Sequence, residues 1–142
     1  MMTTGSSAAG SATPLATKLG IKEGTTLALV GAPDDVLAEL PPRVRVKHQA
    51  RGSADVVVAF FTRRVELERR FAALATMVFP SGGLWIAWPK RASGIETDMT
   101  DHVAREVGLP TGLVDNKVCA VDARWTGLRF VWRRQRRETG QP

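Results

Sequence analysis

Cysteine is nearly missing from this chain of 142 residues: there is one, so no internal disulfide framework can staple the fold. With two histidines beside that cysteine, the ligands for a conventional zinc cluster are lacking too. Long apolar runs are absent. The longest uninterrupted one is Val56 to Phe61, against roughly 20 residues needed to cross a bilayer, so no membrane partner is expected. Neither a dinucleotide-binding glycine fingerprint nor a phosphate-binding P-loop occurs, and no internal repeat is visible. The first residues lack both the basic start and the apolar stretch, about 7–15 residues long, of a secretory signal, and the lone Cys119 suits a reducing compartment; a cytoplasmic location is expected.

What is present is ordinary globular composition, with 44% hydrophobic and 24% charged residues. That length and mixture suit one core. The net charge of +6 is less telling than it looks. Arg133, Arg134, Arg136 and Arg137 against Glu138 place half of it in the last ten residues. The body is too mildly basic for a nucleic-acid groove, which needs several phosphates neutralised together; nucleic acid remains only as an accessory role for the basic tail. Residues 1–13 (MMTTGSSAAGSAT) are small and polar and predict a disordered arm. A single domain is expected over 14–133, with a flexible basic tail over 134–142.

Within that domain, Leu15 and Leu19 suggest a short helix, and Thr26 to Val30 a strand. Pro33 suits a first helical position, with Asp34 and Asp35 in the first turn and Val36, Leu37 and Leu40 as the apolar side, before Pro41 and Pro42 end the helix. Val44 and Val46 alternate with Arg45 and Lys47 as in an edge strand. Ala54 to Phe61, apolar apart from Asp55, reads as a central strand covered on both faces. Leu67, Phe71, Leu74 and Val78 form a helical stripe, with Glu66 and Arg70 placed to pair across one turn. Leu84 to Trp88 is another buried strand. Asp98 is positioned to cap a helix carrying Met99, Val103 and Val107. Lys117 to Val121 and Leu128 to Arg133 predict two strands joined by 122–127, the second near an edge. Only His48 to Ala54 separate the second strand from the third, so either the chain returns as a bare loop or that pair is antiparallel; the bare return is the preferred reading.

A mostly parallel sheet flanked by helices, ending in a β-hairpin, follows from this alternation. Two stretches resemble the class I methyltransferase domain: LGIKEGTTLALVGAP (19–33), like that fold's entrance into its first strand and glycine-rich turn, and ALATMVFPSGGLWIAWPK (73–90), like its later helix, Pro-Gly-Gly turn and strand. The resemblance implies an abbreviated Rossmann-like α/β fold. More closely, WPKRASGIETDMT (88–100), GLVDNKVCAVD (112–122) and WTGLRF (125–130) resemble a bacterial family described only as a domain of unknown function, which brings no activity with it.

The methyltransferase likeness implies cofactor positions that this chain mostly lacks. Gly31 fills the first glycine position of the turn and is the one cofactor-contact candidate. Leu29 stands where an acidic residue would be, Pro33 and Asp35 where the second and third glycines would be, and Lys47 and His48 where a carboxylate would meet ribose hydroxyls. A turn carrying Asp34 and Asp35 at a helix N-terminus is already electrostatically occupied, so no cofactor is expected there. Ligands of open α/β sheets settle beyond the carboxyl ends of the strands. There Arg63 and Arg64 follow the third strand, and Lys90, Arg91, Ser93 and Gly94 the fourth, as an expected anion or partner-docking site. A solvated rim, or pairing of these cations with Glu96 and Asp98, is the alternative.

Ser93, Asp98 and His102 lack the strained Gly-x-Ser-x-Gly turn of a hydrolase elbow and read as coincidence. Cys119 reads as a buried small hydrophobe, and Trp125, in the hairpin loop, as the one tryptophan free to make a contact. The leading expectation is a non-catalytic binding or regulatory domain for an anionic metabolite or protein partner. The alternative is a divergent S-adenosylmethionine-dependent, methyltransferase-like enzyme. The terminal strand leaves room for a homodimer.

Overall fold

The structure, a computed structural model, describes residues 14–34 and 36–134. The expected N-terminal arm and nearly all of the basic tail lie outside the described residues. Among those described, six strands form one sheet: β1 (Thr26–Val30), β2 (Arg45–Lys47), β3 (Val56–Phe60), β4 (Gly83–Pro89), β5 (Leu113–Ala120) and β6 (Trp125–Trp132). Three α-helices accompany them, α1 (Leu15–Lys18), α2 (Arg64–Met77) and α3 (Asp101–Gly108), with single 3₁₀ turns at Arg91–Ser93 and Leu109–Thr111.

The strand order is β2-β1-β3-β4-β6-β5. The first four strands are parallel, while β6 runs antiparallel between β4 and β5. The short passage after β2 is the bare return. It carries the chain past β1, so that β2 and β3 flank β1 and each is parallel to it. Strand order therefore reverses between β1 and β3.

Each face of the sheet is closed differently. On one, the α2 stripe of Leu67, Phe71 and Leu74 meets Val57, Ala59, Leu84, Ile86, Leu128 and Phe130. Phe71 and Phe130 cross edge to face with centroids 5.3 Å apart, and the Trp132 indole N–H donates to the Ala75 carbonyl at 2.9 Å. On the other face α1 together with Ala32, Val36, Leu37 and Leu40 lies over Leu27, Leu29, Val58, Phe60 and Trp85. There the Trp85 indole N–H donates to the Leu19 carbonyl at 3.0 Å.

Several local expectations are corrected. The segment opened by Pro33 is not a helix: its described residues form turns, and Leu37 adopts a positive φ of 55°. Pro41 disfavours the helical conformation at Leu40, leaving too few residues for a stable helix. Burial of the Leu37 side chain on the sheet instead fixes the backbone. Glu66 pairs with Arg69 at 3.4 Å rather than with Arg70. The hairpin strands are longer than expected; β6 lies beside the edge strand β5, near the edge as expected. Trp125 opens β6, buried edge to face against Phe60 at 5.2 Å, and is not a free contact. Cys119 is buried, as expected.

Asp98 caps the other helix. The N-cap of α3 is Thr100, whose hydroxyl accepts from Val103 N–H at 3.1 Å. Asp98 Oδ1 instead accepts from the Arg64 N–H at 2.7 Å, placing a negative charge at the α2 N-terminus, where the side chain of the N-cap residue Arg63 supplies no cap. Asp98→Ala is expected to cost about 1 kcal/mol, read as a lower urea midpoint with unchanged m-value. Asp98→Asn should lose less, since its amide oxygen still accepts.

Candidate functional site

Strand order reverses between the neighbours β1 and β3, and open α/β sheets hold ligands beyond the carboxyl ends of the strands at such a point. A cleft of about 460 Å³ lies there, lined by Leu29, Gly31, Ala32, Pro33, Asp34, Val36 and His48, within the size range of small-molecule sites, about 300–1,000 Å³. Gly31 shapes its base. Its φ is 69°, and a Cβ there would lie 3.2 Å from the Phe60 carbonyl oxygen at the end of β3, so a side chain is opposed both by backbone conformation and by space. His48 is exposed at the end of β2.

The helix expected to start at this turn is not formed by its described residues. No helix N-terminus is present among the described residues here, and Asp34 is a wall of an open cleft. Asp35 lies outside the described residues. Among the described lining residues the polar side chains are the Asp34 carboxylate and the His48 imidazole.

Two further clefts lie along the same rim. One, of about 510 Å³, is lined by Thr62, Arg63, Glu96, Thr97 and Asp98 after β3. The other, of about 640 Å³, lies after β4, where Trp88, Ile95, Met99 and Val118 supply apolar surface and Arg91, Glu96 and Asp101 charge. Glu96 and Thr97 border both.

β3 and β4 are neighbours, so the loops carrying the expected cations do share an edge, but the six residues do not converge. Arg63 lines the cleft after β3 and Arg91 the cleft after β4. Arg64 turns to the helical surface, where Glu68 at 2.9 Å and Glu106 at 2.7 Å bind its guanidinium and raise its pKa. Lys90 is fixed through its backbone N–H, which donates to the Arg124 carbonyl at 2.7 Å. Ser93 Oγ accepts from Ile95 N–H at 3.1 Å and Gly94 follows with φ 79°, so both build the loop. Ser93, Asp98 and His102 each have a different partner: Ile95, Arg64 and Glu106.

Ion pairs tie α3 to its neighbours. Arg105 bridges Asp101 at 3.0 Å and Asp115 of β5 at 2.9 Å. Its hydrogen bond holds the Asp101 carboxyl below the ordinary carboxylate range, and Arg64 does the same for Glu106. Folded-state values depressed in this way give stability that is complete above the unfolded pKa and lost as pH falls through the folded one. Acidification below about pH 4 should therefore lower the urea midpoint, and Asp101→Asn should lower it at neutral pH and flatten the acid slope.

Sequence reasoning missed the cleft after β4, because it is assembled from β4, the following loop and both hairpin strands. Val118 joins Trp88 in lining it only through the pairing of β5 with β6 and of β6 with β4, which one sequence does not show.

With this geometry in place, the likeness to solved proteins has a clear form. The magnesium protoporphyrin IX methyltransferase of Synechocystis PCC 6803, solved with bound S-adenosylmethionine, matches at TM-score 0.56 and 10% identity over 78% of this chain and 71% of that one. An S-adenosylmethionine-dependent methyltransferase of Aquifex aeolicus matches at TM-score 0.51 and 12% identity, over 80% and 85% of the two chains. No family model matches, and no curated protein matches by sequence. At such identities the likeness is one of fold: this chain has a Rossmann-like, methyltransferase-like fold. Among the described residues no helix is long and apolar enough to cross a membrane.

Proposed function

We propose that this is a divergent methyltransferase-like protein whose cleft beyond β1 and β2 receives S-adenosylmethionine or its demethylated product. The observation that carries this reading is the open cleft at the reversal of strand order, with Gly31 in a left-handed conformation against the Phe60 carbonyl. Its volume and glycine floor suit the ligand; its polar groups suit it partly. His48 would meet the ribose hydroxyls, since a neutral imidazole accepts one hydrogen bond and donates another. Asp34 would offset positive charge on the ligand. When bound, S-adenosylmethionine supplies an electrophilic methyl group on a sulfonium centre. The fold of the solved methyltransferases supports this above a purely non-catalytic role.

Arg63 and Arg91, each lining one of the two rim clefts next to Glu96, favour a methyl acceptor carrying a carboxylate or phosphate. Calorimetric titration of the intact protein with S-adenosylmethionine and S-adenosylhomocysteine tests the reading. Saturable binding is expected, weakened about tenfold by His48→Ala through loss of one or two hydrogen bonds. No saturable heat with either compound at millimolar concentration would reject it.

A further inference from the structure

The face of the sheet covered by α1 carries a charge arrangement that neither the rim nor the fold accounts for. Arg129, on β6, is half-buried, and burial pushes its guanidinium pKa down. A guanidinium presents five N–H donors, yet this one has no hydrogen-bond or ion-pair partner among the described residues. Lys117 stands directly opposite on β5, so the two side chains leave the sheet on the same face. Like charges in that relation repel. The Lys117 ammonium reaches only the Lys18 carbonyl, at 3.4 Å, where α1 ends. The nearest acidic residue of β5, Asp115, is taken by Arg105.

Gly83 provides the floor. A Cβ at this position would lie 2.6 Å from Arg129 Nε and 2.9 Å from one terminal nitrogen, so the guanidinium rests directly over the glycine. Gly83 begins β4, whereas the three clefts lie beyond the other ends of the parallel strands; this place is separate from the rim and independent of the cofactor reading. Two opposed cations, one a planar fork and one a point charge, match a dianion with several oxygens better than a single carboxylate.

We propose that Arg129 and Lys117, with Lys18 at the margin and Gly83 as floor, hold a phosphate-type oxyanion, as free phosphate or diphosphate. Titration of the full chain with inorganic phosphate and pyrophosphate, at ionic strength held constant with chloride, tests it. Saturable binding is expected. Arg129→Gln should weaken it about tenfold, the size of one lost charged hydrogen bond. Lys117→Gln, at an exposed position, should weaken it severalfold without disturbing the fold. Gly83→Ala changes no charge but displaces the guanidinium, and should weaken binding as Arg129→Gln does. Absence of saturable binding at millimolar pyrophosphate overturns the proposal. So does unchanged binding in a folded Gly83→Ala or Lys117→Gln protein, which would mark attraction by net charge alone, and so does competition by acetate equal to that by phosphate.

Discussion

Trp85→Ala is expected to remove about 3–5 kcal/mol of stability, out of the roughly 5–15 kcal/mol that holds a domain of this size folded. Trp85 is wholly buried in the middle of β4, and it joins the sheet to α1. Its ring fills the space between β4 and the helix, and its indole N–H satisfies the Leu19 carbonyl, itself in a residue only 1% exposed. Truncation opens a cavity and also leaves that carbonyl without its indole donor, two costs that act together. Since α1 is a single turn, it has little stability of its own. The loss should therefore appear as a lower urea midpoint together with rapid amide exchange over residues 15–21. Trp85→Phe, which keeps most of the volume, should lose markedly less. A loss below about 1 kcal/mol for the alanine variant would mean that α1 is held by something other than this contact.

The second large effect comes from adding atoms. Gly108, the last residue of α3, lies where a Cβ would be 2.6 Å from Phe130 Cε1, 2.8 Å from Phe130 Cζ and 2.9 Å from Phe71 Cζ. Its backbone is helical, with φ near −83°, so conformation permits other residues. In an exposed helix an alanine here would stabilise by up to about 1 kcal/mol. Packing opposes that gain, because both rings are buried and crossed edge to face in the contact between α2 and β6. Overpacking of such a site costs about 1–3 kcal/mol. Gly108→Val, which adds two more methyl groups and loses the propensity gain, should lie at or beyond the upper end, measured by chemical denaturation. A variant as stable as the parent would show that α3 can lift away from the sheet at no cost.

Sequence periodicity made the elements that pack by their own repeats legible. The apolar run of β3 announced a strand covered on both faces, and the Leu67, Phe71, Leu74 stripe announced the side of α2 that meets the sheet. What could not be read depends on partners distant along the chain. Asp98 caps α2 from 34 residues away, and a local rule assigned it to the helix that follows it. The burial of Trp125 depends on which strands pair. The 33–40 segment misled for a different reason: Pro33 and its aspartates are good helix-start chemistry, but Pro41 shortened the segment and burial of Leu37 decided its path.

That one misreading governed the expected function. A helix capped by two aspartates would have closed the turn to ligands, whereas the turn observed leaves a cleft open between Gly31 and His48. The anion-site residues illustrate the same limit. Their strands are adjacent, as the site required, but the direction each side chain takes was set by partners such as Glu106 on α3.

The most direct measurement is titration of isotope-labelled intact protein with S-adenosylmethionine, followed by amide and imidazole resonances. Shifts that saturate together at Gly31, Ala32, Asp34 and His48, and leave Arg129 and Lys117 unmoved, are the predicted result. Saturating shifts confined to the loop around Arg91 and Ile95, or no shifts at millimolar ligand, would contradict the assignment of the cleft beyond β1.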